Sequence, residues 1–268
     1  MKQKLHESSK HFDDPSHNWN RKENAVRYDA NSRSMFDNRV KITIEGLDID
    51  RKSRVLDIGA GPGTLAIPLS PLAKEITAVE PGRGMVEILN AHIRNEGVTN
   101  ISCVQKNWED VDLSTDLDGQ YDVVIASLSL TMHDIRAALV KMDEASRKYV
   151  YLFWFVNSPF WEKMYDDIWG QLHGSRYFPS PKADCLFNVL YQMGIYANVE
   201  MLPLDKVYRF GSEEEMSAFF KRRFNVTTSE QEKLLREYLM PLIHRDRDEI
   251  VISGDSTFAK IWWRKKTG

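Results

Sequence analysis

The segment Val55 to Gly63, VLDIGAGPG, sets Asp57 two residues ahead of glycines at 59, 61 and 63, with Ala60 between the first two. Glycines at that spacing let a backbone turn tightly and approach a ligand with no side chain intervening. The Asp57 carboxylate repels a phosphate and attracts a cation. That separates this G-x-G-x-G loop from the G-x-G-x-x-G turn that seats a pyrophosphate on a helix N-terminus. Further on, AVEPG puts Glu80 and Pro81 at the end of a second apolar run. A carboxylate there can accept hydrogen bonds from both hydroxyls of a ribose. NWED follows a third run: Asn107 can accept from an adenine amino group, Trp108 can cover the ring face, and Glu109 stands beside them. In SLSLTMHD, Ser127 and Leu128 are placed to line the site, and His133 and Asp134 are candidate general bases. A loop histidine beside a site serves as base, as binding group or as a solvated residue.

These residues need strand ends and loops to hold them, and the pattern supplies both. Arg54 to Ile58, Glu75 to Val79, Ile101 to Gln105, Tyr121 to Ser127 and Tyr149 to Val156 read as buried strands. Thr64 to Leu72, Met85 to Glu96 and Ile135 to Ser146 read as the helices between them. Strand and helix in alternation imply a parallel sheet covered on both faces, with ligands outside the carboxyl ends of the strands. After Asn157 the alternation stops. Helical stretches at Trp161 to Gln171 and Ala183 to Met193 form an aromatic-rich cap, with Trp154, Phe155, Phe160, Trp161 and Tyr165 as an acceptor pocket. Val199 to Arg209 reads as a strand, and Ser212 with Glu215 and Ser229 with Glu232 as capping boxes. Glu249 to Ser253 and Thr257 to Arg264 read as a closing antiparallel hairpin. The expected organisation is an N-terminal polar tail with lid helices over 1–45, a cofactor-binding core over 46–157, a helical cap over 158–198, and completing strands and helices over 199–268.

Composition narrows the partners. The chain has 268 residues, 36 Lys plus Arg against 39 Asp plus Glu, and a net charge of -3, so no global field draws in nucleic acid or an anionic membrane. A small-molecule partner is expected, with no nucleic acid and no membrane; the oligomeric state is not legible. With only Cys103 and Cys185, a disulfide framework is excluded and a reducing, cytoplasmic setting is expected. His6, His11 and His17 lack the spacing of a metal site, and no metal is expected. Charge logic at Asp57 favours a ligand carrying an ammonium and a sulfonium, which is S-adenosylmethionine.

Over about Trp19 to Val156 these segments resemble the class I S-adenosylmethionine-dependent methyltransferases, in particular the small-molecule branch. The resemblance implies a doubly wound, seven-stranded Rossmann-like α/β sheet with a reversed final strand, N-terminal helices and an inserted helical cap. It implies that Asp57, Gly59 and Gly61 meet the methionine end, Glu80 the ribose, and Asn107 and Trp108 the adenine, with Met85 packed on the adenine. Trp19 and Tyr28, in a W…YD pattern, resemble the segment that closes over the cofactor. With Ala60, Gly63, Pro81, Glu109, Ser127 and Leu128 they complete the candidate cofactor site. The family often has an acid where Asn107 stands, and its histidines after the fourth strand are displaced here to His133.

Methyl transfer to a small molecule, with S-adenosylhomocysteine as the product, is the function expected. A nucleic-acid or protein methyltransferase would show an Asn-Pro-Pro-Tyr-like turn after the fourth strand, where this chain has Ser127-Leu128-Ser129-Leu130. An NAD-dependent dehydrogenase is disfavoured by the glycine spacing and Asp57. A non-catalytic cofactor-binding module stays open, because binding and catalytic residues are separate sets.

Overall fold

The structure, a computed structural model, describes residues 19–35 and 37–265. His6, His11 and His17 lie outside them. The apolar run Arg54–Ile58 forms β1, which pairs in parallel with β2 (Glu75–Val79) on one side and β4 (Tyr121–Ser127) on the other. β3 (Ile101–Val104) flanks β2, and β5 (Ser146–Phe155) flanks β4, both parallel. β6 (Asn198–Pro203) and β10 (Thr257–Arg264) finish a seven-stranded sheet of order β3-β2-β1-β4-β5-β10-β6, with β10 antiparallel to both neighbours. The chain winds outward in one direction through β2 and β3 and in the other through β4 and β5. A crevice therefore opens at the carboxyl ends of β1 and β4, where ligands of such sheets bind.

Both faces are covered, as a run of buried strand residues requires. On one face α5 (Ile135–Ala145) and α7 (Ala183–Gln192) pack against Leu56, Val124 and Leu152. On the other, α3 (Ala66–Leu69) and Val40 and Ile44 of α2 (Asp37–Glu45) pack against Val55, Val123 and Phe153. α1 (Lys22–Met35) lies on α4 (Arg83–Asn95), the crossover between β2 and β3.

The segment from 158 to 198 does not behave as one cap. α7 belongs to the main core, whereas α6 (Phe160–His173) builds a second core. It packs there with α8 (Glu213–Arg223), α9 (Ser229–Leu239) and a small sheet of order β7-β9-β8, made of β7 (Lys206–Phe210), β8 (His244–Asp246) and β9 (Glu249–Gly254). Trp154 and Tyr165, expected in an acceptor pocket, are instead buried, one in each core. The expected closing hairpin is also corrected. β9 and β10 do not pair with each other. Lys206 stands opposite Gly254 in the small sheet and Pro203 opposite Thr257 in the large one, so 198–210 and 249–264 run side by side as a ribbon that passes from one sheet to the other. The hairpin turn lies earlier, at Arg247, whose φ is 56°. Gly254 mimics a turn glycine but serves packing, since a Cβ there would sit 2.1 Å from the Phe160 ring. The second helix cap is Thr228 with Gln231, one residue before the expected pair.

Candidate cofactor cleft

The floor of the crevice is the loop after β1. Gly59, Gly61 and Gly63 have φ of 73°, 57° and 89°, in the left-handed region that glycine enters without steric cost. Each faces something different. A Cβ on Gly59 would lie 2.2 Å from the Ser129 Cβ, one on Gly63 would press on Leu89 and Ile67, and one on Gly61 would meet nothing within 4 Å. Gly61 therefore faces open cleft, while Gly59 and Gly63 let the ends of β1 and β4 and the helices close up behind it. The amides of Gly59 and Ala60 donate to the Val79 carbonyl, joining the loop to β2.

Glu80 pins this loop to the next one. Its carboxylate is 5% exposed and accepts from the Gly61 amide at 2.9 Å and the Gly82 amide at 2.8 Å. Burial pushes its pKa up, and the two amides oppose the shift. Each carboxylate oxygen keeps a lone pair beyond these bonds. Glu80 and Pro81 both line the cleft.

Asp57 is 2% exposed and lies behind the loop rather than on the cleft wall, as do Ala60 and Gly63. Its Oδ2 makes no hydrogen bond among the described residues. Burial and the neighbouring Glu80 carboxylate push its pKa up to about 7, against the opposing pull of Arg39 and the Ala66 amide. Arg39, on α2, escaped the sequence reading. It is buried, donates to Ser127 Oγ at 3.1 Å, and shares charge with Tyr28 and Asp57. Nothing in the mixed-charge stretch around it marks it out; only the docking of α2 on the sheet brings it to the strand ends. Ser127 and Leu128 line the cleft, and Leu128 holds a φ of 57°, a strained geometry of the kind found at binding sites.

On the opposite flank the NWED segment is part of the cleft wall and of the core at once. Trp108 is 3% exposed, and its Nε1 donates to the Ala138 carbonyl at 3.2 Å. The Lys141 ammonium lies 5.0 Å from the centre of the indole. The ring is thus wedged against α5, and the little surface it leaves free lines the cleft. Asn107 donates from Nδ2 to Asp110, which leaves its amide oxygen as an acceptor toward the cleft. Glu109 Oε1 accepts from the amides of His133 (2.9 Å) and Asp134 (3.4 Å). Asp134 is the N-cap of α5, accepting from the Ala137 amide at 3.1 Å, and is not on the cleft wall. Its expected part as a base is replaced by a structural one. His133 lines the cleft, and Glu109 ties its backbone to the NWED flank. Ser129, Thr131 and Met132 also line the cleft and were not singled out by sequence.

The roof comes from the N-terminal helix. Trp19 and Tyr28 meet edge to face at 5.1 Å and join a small apolar cluster with Ala25, Met85 and Ile88. Trp19, Tyr28 and Met85 all line the cleft. The enclosed volume is about 450 Å³, within the range of small-molecule sites. A cleft lined by an open glycine turn, with a buried carboxylate behind it that has one oxygen without a hydrogen bond and a second carboxylate at the next strand end, suits an adenosine bearing a cationic amino-acid tail.

The comparisons agree with this geometry. Residues 55–148 match the family described as Methyltransferase domain. A protein of Haemophilus influenzae is 25% identical over 89% of this chain and 88% of its own length. A ribosomal RNA small subunit methyltransferase A of Desulforapulum autotrophicum is 31% identical over 34% of this chain and 32% of its own, and a ubiquinone biosynthesis O-methyltransferase of Rickettsia conorii is 33% identical over 37% and 33%. The fold is similar to that of YcgJ from Bacillus subtilis, with a TM-score of 0.58 at 17% identity, covering 86% of this chain and 99% of that one. The matched segment builds the floor and one flank of the cleft, so the cleft is that of a methyltransferase domain, set in a sheet whose fold is similar to that of YcgJ.

Proposed function

We propose that the protein transfers the methyl group of S-adenosylmethionine to a small-molecule acceptor that enters beside the carboxyl end of β5. One observation carries this reading. The half-buried rings of Phe155 and Trp161 meet edge to face at 5.4 Å at that strand end, with Lys206 of β7 6.0 Å from the Trp161 ring. Phe155 lies two residues beyond Phe153, whose carbonyl accepts from the Leu128 amide of the cleft wall, and burial lowers the Lys206 pKa to about 7, so this aromatic wall suits a compact acceptor rather than a polymer strand. The relatives that act on ribosomal RNA match about a third of this chain and so do not speak for its acceptor side. The net charge of -3 lacks the excess of Lys and Arg with which proteins neutralise phosphates.

Within this reading, Asp57 and Arg39 set the charges that face the amino-acid tail of the cofactor. Glu80 accepts from the ribose while holding the two loops together. The Asn107 oxygen and Met85 meet the adenine. When bound, the cofactor supplies an electrophilic methyl on a sulfonium. The protein's work is then to align an acceptor with that methyl and to exclude water, through Trp19 and Tyr28 above and the aromatic wall beside. With Asp134 capping a helix and His133 held on the adenine flank, transfer rests on approximation rather than on a base from this loop.

Calorimetric titration with S-adenosylmethionine, S-adenosylhomocysteine and NAD in parallel is the first test. Micromolar binding of the first two and none of NAD is expected. A screen with labelled methyl groups should then mark small aromatic metabolites and leave ribosomal RNA and bulk protein unlabelled. Binding of NAD alone, or labelling of RNA in preference to small molecules, would overturn the reading.

A further inference from the structure

Two glycines near the cleft do not line it and have no backbone reason to be glycine. Gly82 has φ -71° and ψ 110°, a conformation open to any residue, and Gly84 sits in the first turn of α4. Neither has a positive φ. In a helix glycine is a poor choice, since alanine loses less entropy on folding and has a higher helix propensity. The neighbours explain both. A Cβ on Gly84 would lie 2.7 Å from the Trp19 carbonyl oxygen and 3.1 Å from the carbonyl carbon and oxygen of Arg21. One on Gly82 would lie 2.8 Å from the Trp19 Cβ, 2.9 Å from Glu80 Oε1 and 3.2 Å from the Trp19 carbonyl oxygen. At Gly84 the obstacles are backbone atoms, which cannot swing aside as a side-chain end can. The missing side chains leave a notch at the start of α4, and the N-terminal segment lies in it.

Other contacts hold the segment in that notch. The Asn20 side-chain oxygen accepts from the Arg83 amide at 3.0 Å, satisfying a helix N-terminal donor that α4 cannot satisfy itself. Asp29 and His92 meet at 3.0 Å one helix face further along, and Ala25 is buried against Met85 and Ile88. These contacts set the height and tilt at which the Trp19 and Tyr28 rings stand over the cleft.

We propose that Gly82 and Gly84 are positioning residues for cofactor binding: they seat the N-terminal roof on α4, so that filling the notch lifts Trp19 and Tyr28 off the cofactor without damaging the sheet below. The inference rests on the reading of the cleft as an S-adenosylmethionine site. It predicts two responses of opposite sign from one substitution, because alanine in α4 favours the helix while it unseats the roof.

The test is Gly84→Ala in the full chain. The dissociation constant for S-adenosylhomocysteine should rise at least tenfold, mainly through faster dissociation, while the melting temperature of the ligand-free protein stays level or rises. A cycle then separates the roof from a local change at the adjacent Met85. In a Trp19→Ala/Tyr28→Ala background, which lacks the rings being positioned, adding Gly84→Ala should change affinity less than twofold. A tenfold loss that persists in that background, or wild-type affinity in Gly84→Ala, would overturn the proposal. Failure of the wild-type chain to bind S-adenosylhomocysteine at all would instead overturn the cofactor assignment on which the proposal rests.

Discussion

The Gly59–Gly63 loop and the Gly82–Gly84 turn both border the cleft, and they use glycine for different physical reasons. In the first, positive φ values and the closeness of Ser129, Leu89 and Ile67 make glycine a condition of the fold. In the second, φ is ordinary and the space is taken by another segment of chain. The floor is thus built by the sheet, with hydrogen bonds to Val79 and Glu80, whereas the roof is docked on one helix. Damage to the floor should cost stability and binding together. Damage to the roof should cost binding more than stability.

Gly59→Ala should produce the largest effect. It forces a side chain into the left-handed region, at about 1–2 kcal/mol, and drives a Cβ into Ser129, an overpacking that adds about 1–3 kcal/mol. Denaturant midpoints should show the combined loss, and cofactor binding should fall with it. A stable Gly59→Ala protein would dissolve the distinction between floor and roof. Glu80→Ala comes next. It leaves the amides of Gly61 and Gly82 without their acceptor and removes a ribose partner, so calorimetry should show S-adenosylhomocysteine affinity down by about 1–3 kcal/mol, with a smaller loss of stability.

The floor was the legible part because its reasons are local. An apolar run, glycines at alternating positions and an acid at the next strand end sit within one stretch, and the sheet placed them as their spacing implied. The second core was not legible, because its decisive pairing joins 198–210 to 249–264 and passes between two sheets, which no local period encodes. Gly254 read as a turn for the same reason, since its true neighbour, Phe160, is remote in sequence. Arg39 lies among polar helix residues and gains meaning only by docking beside Ser127. Trp108 shows the converse: its position beside the cleft was foreseen, but the contact with Ala138 that turns its ring into the core depends on where α5 lies.

Behind the floor, Asp57 feels the opposed charges of Glu80, at the end of β2, and Arg39 on α2. Its pKa is raised to about 7 from 3.8, so the ligand-free fold keeps a proton that the unfolded chain releases. The sign follows: this group's contribution to stability is fully present below the unfolded value and is lost as pH rises through about 7. A ligand ammonium favours the carboxylate and reverses that preference. Affinity for S-adenosylhomocysteine should therefore tighten from pH 6 to pH 8, by at most about tenfold per pH unit, with release of a proton on binding at the lower pH. Asp57→Asn should flatten the profile, and an unaltered slope in that variant would assign the proton to another group.

Trp19→Ala tests the roof from above. Removing the indole deletes the edge-to-face contact with Tyr28, a pairing worth about 0.5–1.5 kcal/mol, and opens the cleft to water. Ligand-free stability should fall by no more than that order, while cofactor affinity falls further. An equal loss of stability would mean that the N-terminal helix belongs to the core and is not a roof docked on α4.

His133→Ala is expected to do least, and its smallness is informative. The imidazole is exposed, and Glu109 holds this segment through the backbone amides of residues 133 and 134, which alanine keeps. The flank wall should therefore stand unchanged, and S-adenosylhomocysteine affinity should shift less than twofold. Turnover, once an acceptor is in hand, should also survive if transfer depends on alignment and not on a base from this loop. A loss of turnover at unchanged cofactor affinity would instead bring the imidazole to the acceptor when both ligands are bound.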